Sequence, residues 1–142
     1  MIVRISSLAL LALLVIGCSS TPSHKAYHYH TTADDPNAGF FTLELPPDVR
    51  LLGINGSRTG HDMFKLSRQP TEITIRPGKA KVQVRYEAMF GDGDQLTKHI
   101  RSTPFTLDVD GKDGEYFVLG FVRPRSIRTA RRFARAPEFW LE

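Results

Sequence analysis

The sequence is poor in cysteine and tryptophan, with one of each among 142 residues. A single thiol excludes an intramolecular disulfide framework and a zinc site built from four cysteines. No sequence repeat is visible, which argues against solenoids and propellers. Hydrophobic residues make up 41% of the chain, charged residues 24%, and the formal net charge is +4. This composition indicates one ordinary globular domain and excludes both a disordered chain and a multi-span membrane protein.

The apolar run at the N-terminus is too short to span a bilayer. Arg4 is the only charge before Cys18, and residues 5–16 are apolar except for two serines. A spanning helix needs about 20 apolar residues, whereas roughly 7–15 behind a basic start are typical of a secretory signal. We therefore predict a signal peptide at residues 1–17.

The end of this run resembles the lipobox of bacterial lipoproteins. It reads Leu-Val-Ile-Gly-Cys at residues 14–18 and is followed by Ser-Ser-Thr-Pro. The resemblance implies that Cys18 becomes the mature N-terminus and carries palmitate or related acyl chains as a membrane anchor. By the same resemblance, an Asp directly after the cysteine would be a retention signal. Ser19 occupies that position instead, which implies an anchor on the periplasmic side of the outer membrane. The alternatives are an ordinary signal peptide or a buried apolar helix with a chance cysteine.

The next segment, residues 18–39, is predicted to be the lipidated cysteine followed by a flexible tether. Serine, threonine, proline, histidine and aspartate dominate it, and no hydrophobic period is visible. The folded domain is predicted to cover residues 40–142.

Alternating apolar and polar residues predict short β-strands in that domain. Phe41, Leu43 and Leu45 alternate with polar neighbours, as one half-buried strand requires. Asn55-Gly56 and Pro77-Gly78 are hairpin-type turns, and residues 110–114 predict another turn. Further strand-like runs lie at residues 49–54, 73–75, 82–86, 105–109 and 116–122. The pattern predicts a mainly β protein with a small antiparallel β-sandwich, Ig-like or PEGA-like.

The C-terminal segment changes to a helical period between Pro124 and Pro137. On a wheel of 100° per residue, an apolar arc opposes an arginine arc. The apolar arc is Ile127, Ala130, Phe133 and Ala134, and the opposite arc is Arg125, Arg128, Arg131, Arg132 and Arg135. We predict a short amphipathic helix. Residues 137–141 are predicted to form a brief last strand or an apolar tail, with Trp140 in the core.

Several segments together resemble one bacterial family. They are residues 41–56, the Ile-Arg-Pro-Gly turn at 75–78 leading into 82–86, the Tyr-Glu-Ala-Met-Phe stretch at 86–90, and Ala-Arg-Arg-Phe-Ala-Arg-Ala-Pro at 130–137. The chain from about residue 40 to 142 is similar to the YccT-like proteins, the DUF2057 family of bacterial envelope proteins. The resemblance implies a helix running into a proline and a strand, and a non-enzymatic envelope protein without catalytic residues. The turn at Pro77-Gly78 is also similar to PEGA-type sandwich repeats.

Histidines in the tether offer one candidate metal site. His24, His28 and His30 precede Asp34 and Asp35, and imidazole suits borderline metal ions. A tether supplies no partners to orient such ligands, so a polar linker is the expected interpretation.

Carboxylates in two loops offer weaker candidates. Asp108, Asp110, Gly111 and Asp113 match part of a calcium loop but lack its closing glutamate, so a turn is expected. Asp92 and Asp94 are separated by glycine and indicate a loop. No nucleophile and base share a motif, since the domain histidines His61 and His99 stand alone. We expect no enzyme, no metal and no cofactor.

The arginine arc is the most informative charged feature. Six arginines and no acidic residue fall between Arg123 and Arg135. Such a face is either a solvated helix surface or a binding surface for anionic lipid, an acidic protein partner or anionic glycan. An envelope location removes nucleic acid as a natural partner.

The sequence thus predicts an outer-membrane-anchored lipoprotein acting as a non-catalytic binding or accessory module. Recognition is expected at a sheet edge or at the arginine face. The alternative is an envelope structural protein that binds glycan or anionic lipid through that face.

Overall fold

The structure is a computed structural model. It describes residues 25–28, 39–58, 69–91 and 97–142. Several residues singled out above lie outside these ranges: Cys18, His24, His30, Asp34, Asp35, His61, Asp92 and Asp94.

The described residues form ten strands and one helix. In chain order they are β1 (Lys25–His28), β2 (Phe41–Leu45), β3 (Val49–Ile54), β4 (Ser57–Arg58), β5 (Thr71–Ile75), β6 (Gly78–Phe90), β7 (Lys98–Arg101), β8 (Phe105–Gly111), β9 (Tyr116–Gly120), α1 (Ile127–Arg135) and β10 (Trp140–Leu141). The first sheet has the order β1-β5-β2-β9-β10. The second has the order β4-β3-β6, with β7 and β8 both paired to β6. The predicted small β-sandwich with one C-terminal helix is confirmed.

The core lies between the two sheets and follows from the alternating pattern. Phe41, Leu43 and Leu45 of β2 point inward and are fully buried, while the residues between them are half-buried. Val82 and Val84 do the same from the facing β6. These two strands thus each contribute one face to the apolar interior.

The hairpin predicted at Asn55-Gly56 joins β3 to β4. Both turn residues have positive φ, 51° for Asn55 and 80° for Gly56, as a two-residue turn of this kind requires. The Asn55 side chain also accepts a hydrogen bond of 2.8 Å from the backbone N–H of Lys81. This ties the turn to the neighbouring strand β6.

The hairpin predicted at Pro77-Gly78 is wrong. The chain reverses there, but β5 pairs with β1 and β2 in the first sheet, whereas β6 pairs with β3, β7 and β8 in the second. The turn before β9 likewise leads from the second sheet into the first. Turn residues fix a change of direction, but the sheet that the next strand joins depends on packing.

Strand β1 was not predicted, and it lies inside the stretch assigned to the tether. It pairs in parallel with β5, from Lys25 beside Thr71 to His28 beside Thr74. Four residues are too few to show a period, so this strand could not be predicted from hydrophobic alternation. The pairing covers backbone groups of β5 that would otherwise form a sheet edge.

Helix α1 is confirmed at Ile127–Arg135 and packs on one end of the sandwich. Ser126 caps it and forms a capping box with Thr129. The helix buries Ala130 and Ala134 against a second apolar cluster that includes Tyr86 and Ile100 of the sheet. No helix within the described ranges is long and apolar enough to cross a membrane.

Candidate functional site

A groove of about 880 Å³ lies between α1, the segment that follows β9, and β10. This volume is within the range typical of ligand-binding clefts, about 300–1,000 Å³. The lining contains three arginines, one acidic residue and several apolar side chains. The lining residues are Val122, Arg123, Pro124, Arg125, Thr129, Arg132, Phe133, Ala136, Glu138 and Trp140.

The groove divides the arginines predicted as one face. Arg132 of α1 lines it, together with Arg125, which was predicted on the helix but precedes the extended N-cap Ser126. Arg128, Arg131 and Arg135 are exposed and are not part of the lining. Two of the five arginines in the predicted set therefore line the groove.

Arg123, outside the predicted set, is the third arginine of the groove. Its Nη2 lies 3.0 Å from Asp48 Oδ2 and 3.4 Å from the carbonyl oxygen of Pro47, so the guanidinium is held on the turn after β2. Neither Arg125 nor Arg132 has an acidic partner within the part of the chain that the structure describes. These two guanidiniums are available to an acidic ligand.

Apolar surface adjoins the arginines. Val122 is 73% exposed and Trp140 is 43% exposed, both unusual for residues of this kind. The expectation that Trp140 is a core residue is wrong. Strand β10 places it opposite Gly120, where a Cβ atom would come within 2.4 Å of the indole, while Phe139 and Leu141 turn to the core.

An aromatic cluster supports the floor of the groove. The Phe133 ring meets the rings of Tyr86 and Phe139 at centroid distances of 5.2 and 5.7 Å, both edge to face. Burial, reinforced by the nearby charge of Asp48, raises the pKa of Tyr86 to about 12. Rings packed in this way hold the groove side of α1 against the sheet.

A buried carboxylate that the sequence analysis did not identify lies on the outer side of the second sheet. Glu87 is 1% exposed, and its two oxygens lie 2.7–2.8 Å from Arg50, His99 and Arg101. Burial alone would raise its pKa, but the positive charges of Arg50, Arg101 and Arg85 outweigh burial and hold the pKa below the usual value. The alternating pattern of β6 places this residue on the solvent side. Only the side chains of neighbouring strands reveal that it is covered.

The comparisons with known proteins give one result. The model of a family described as an uncharacterized protein conserved in bacteria, DUF2057, matches residues 42–142. The chain belongs to the DUF2057 family. The match includes every residue of the groove. Searches of curated proteins and of solved structures returned no significant match.

This DUF2057 protein has a second groove, lined by the turn residue Asn55 and by residues of β6 and β8, in which positive and negative charges balance. Its lining includes Lys79, Lys81, Asp108 and Asp110, and the Lys81 ammonium lies 3.6 Å from Asp108 Oδ1. Asp113 accepts a 2.9 Å hydrogen bond from the backbone N–H of Phe40. In the described ranges no three histidine, cysteine or acidic side chains are grouped as a metal site. These carboxylates hold turns and strands.

The sheet edges of the DUF2057 domain are less suited to recognition than the first groove. Among described residues, β8 pairs with β6 alone, so its other side is an edge. Exposed Asp108 and Asp110 lie on that strand, and charges on an edge strand discourage an added strand. In the first sheet, the edge strand β10 has only two residues.

Proposed function

We propose that this protein is an outer-membrane-anchored lipoprotein that acts as a non-catalytic binding module of the bacterial envelope, with the groove beside α1 as its binding surface. Two observations support the proposal. The lipobox-like sequence ends at the chain's only cysteine, Cys18. The groove combines two arginines that have no acidic partner among the described residues with exposed Val122 and Trp140.

The observation that carries the binding role is the pairing of Arg125 and Arg132 with apolar surface. Guanidinium groups donate paired hydrogen bonds to phosphate or carboxylate oxygens. Val122 and Trp140 can contact an apolar part of the same ligand. A ligand of the groove is therefore an acidic group next to a carbon-rich surface.

The lining favours binding over catalysis. Within the described ranges it contains no histidine, cysteine or serine, and the hydroxyl of Thr129 donates to the carbonyl oxygen of Ser126. Glu138 is the one acidic residue present in the lining. General acid-base or nucleophilic chemistry needs a positioned pair of such groups.

Anchoring is tested by replacing the cysteine. The full chain and a Cys18→Ser variant are expressed in bacteria supplied with an alkyne analogue of palmitate, and the membranes are fractionated. We expect label on the wild-type chain in the outer-membrane fraction and none on Cys18→Ser. Equal distribution of the two chains, or unlabelled wild type, would refute the anchor.

Binding is tested by a matched pair of double variants of the full-length protein. Arg125→Gln/Arg132→Gln removes two charges from the groove, and Arg128→Gln/Arg135→Gln removes two charges from the exposed side of the same helix region. Each protein is used to capture components from envelope extract. We expect the first variant to lose the captured component and the second to retain it. Equal capture by all three proteins would exclude the groove.

A further inference from the structure

Strand register places the groove at the end of the sandwich where the chain arrives from Cys18. In the first sheet, Lys25 lies beside Thr71 and Thr71 lies beside Leu45. Since β9 runs parallel to β2, its last residue Gly120 is also at this end, paired with Trp140. The entry of the chain and the rim of the groove therefore share one end of the same sheet.

The distance between anchor and sheet is short. Seven residue steps separate Cys18 from Lys25, and a fully extended chain covers at most about 3.6 Å per step, which gives about 25 Å. The five strands from β1 to β10 add about 19 Å across the sheet, at roughly 4.8 Å per strand spacing. When Cys18 is acylated, a tether of this length lets the groove end reach the bilayer.

The chemistry of this end matches an anionic membrane surface. Three arginines and one glutamate line the groove. Arg123 is paired with Asp48 at 3.0 Å, and the Trp140 indole N–H donates a 2.7 Å hydrogen bond to Glu142, so Arg125 and Arg132 supply the positive charge available to an anionic surface. Exposed tryptophan beside arginine is typical of surfaces that sit at the headgroup level of a bilayer.

The end of the sandwich opposite the groove differs in its charges. Gly111 of β8 lies against the Phe41 ring at the start of β2, and it pairs with Gly78. Next to it, Lys79 pairs with Asp110 and Lys81 with Asp108, so positive and negative charges alternate. This end offers an anionic surface no excess of positive charge.

We infer that the groove is a membrane-docking surface, in which Arg125 and Arg132 bind the phosphates of anionic phospholipids while Trp140 and Val122 enter the headgroup layer. The lipids are those of the membrane that holds Cys18, so this inference rests on the proposed function. Docking fixes the orientation of the domain and leaves the balanced end pointing away from the bilayer.

The single tryptophan makes the docking measurable. Full-length lipidated protein is reconstituted into vesicles of phosphatidylethanolamine and phosphatidylglycerol, or of phosphatidylcholine alone. Flotation of the vesicles reports anchoring. Quenching of Trp140 fluorescence by brominated lipid reports contact with the bilayer, and quenching by aqueous acrylamide reports exposure. Lys79→Gln/Lys81→Gln serves as a control that loses two charges at the opposite end.

On anionic vesicles we expect a blue shift of Trp140 emission, quenching by brominated lipid and protection from acrylamide. Arg125→Gln/Arg132→Gln should lower the ratio of docked to undocked domain about thirtyfold, since each basic residue near an anionic surface contributes about one kcal/mol. The control should dock like wild type, and 1 M salt should release the domain.

The experiment separates failure of the docking inference from failure of the lipid anchor. If wild type floats with anionic vesicles while Trp140 remains open to acrylamide, the docking inference is wrong and the anchor stands. If Cys18→Ser floats with vesicles of phosphatidylcholine alone as well as wild type does, the anchor itself is wrong. Equal docking of wild type on phosphatidylcholine would also overturn the role of the arginines. So would a loss of docking in the Lys79→Gln/Lys81→Gln control as large as that in Arg125→Gln/Arg132→Gln.

Discussion

Replacing the buried Glu87 by glutamine tests whether its carboxylate holds three strands of the second sheet together. The carboxylate accepts charged hydrogen bonds from Arg50 of β3 at 2.7 Å and from Arg101 of β7 at 2.8 Å. Arg85 of β6 lies directly opposite Arg50, so the two like charges depend on the carboxylate between them. Glu87→Gln leaves these guanidiniums facing a neutral amide.

The expected loss follows from how deeply the partners are buried. Removing one partner of a fully buried ion pair costs about 3–5 kcal/mol. Arg101 is 55% exposed along its side chain, so water recovers part of that cost. We expect Glu87→Gln to lower the free energy of unfolding by about 2–3 kcal/mol, measured by urea denaturation of the full chain with circular dichroism.

The control for this measurement is an ion pair on the surface. Asp108 faces Lys81 at 3.6 Å with its side chain 80% exposed, and Asp108→Asn should cost less than about 0.5 kcal/mol. If Glu87→Gln costs no more than Asp108→Asn, the carboxylate is not the link between the strands.

The pH dependence of stability gives the same interaction a second test. The pKa of Glu87 is lower in the folded protein than its ordinary value of 4.5. The unfolded chain therefore takes up this proton first as pH falls, so the stabilisation is complete above pH 4.5 and is lost as pH falls through the folded value. Glu87→Gln should flatten the decrease in stability at acid pH. An unchanged slope would contradict the account.

Three further predictions concern the groove end. The pKa of Tyr86 is raised to about 12 chiefly by burial, so the contribution of its neutral phenol to stability is complete below pH 10.0 and is lost as pH rises through about 12. Ultraviolet titration should show one fewer late-ionising phenol in Tyr86→Phe than in wild type. Ser126→Ala removes the helix cap and should cost about 1 kcal/mol in urea denaturation, whereas no loss would mean that the capping box is dispensable. Glu138→Gln removes the acidic residue of the groove and should strengthen docking of Trp140 on anionic vesicles; weaker docking would show that Glu138 contacts the ligand favourably.

Sequence reasoning succeeded where the signal is local. The alternation of Phe41, Leu43 and Leu45 fixes one strand, and Asn55-Gly56 fixes a hairpin, because both depend on neighbours in the chain. The helix after Pro124 was predicted for the same reason, since its apolar and arginine arcs need only the 3.6-residue period. Family membership was also readable from these segments.

Sequence reasoning failed where the outcome depends on distant partners. The reversal at Pro77-Gly78 was visible, but the change of sheet was not, because strand pairing is decided by long-range packing. Strands β1 and β7 are four residues each, too short for a period. Burial of Glu87 arises from side chains of β3 and β7 that close over an outward position.

Only part of the candidate site was predicted from the sequence, because contacts between distant residues decide which way a side chain faces. The helical wheel identified the arginines but not the element that each one faces, and both Arg123 and Arg125 precede the helix. Trp140 was expected in the core because large apolar residues usually are. In the structure the two-residue strand β10 turns it to the rim, which only the register with Gly120 could show.

The most direct test of the groove as the membrane-facing surface is photo-crosslinking in living bacteria. A p-benzoylphenylalanine residue is placed at Val122, which is exposed in the groove, or at Lys79, which is exposed at the opposite end. After illumination, the purified full-length protein is examined by mass spectrometry for lipid adducts. We predict a phospholipid adduct from position 122 and none from position 79. Adducts at both positions, or at position 79 alone, would contradict the orientation and the function proposed for the groove.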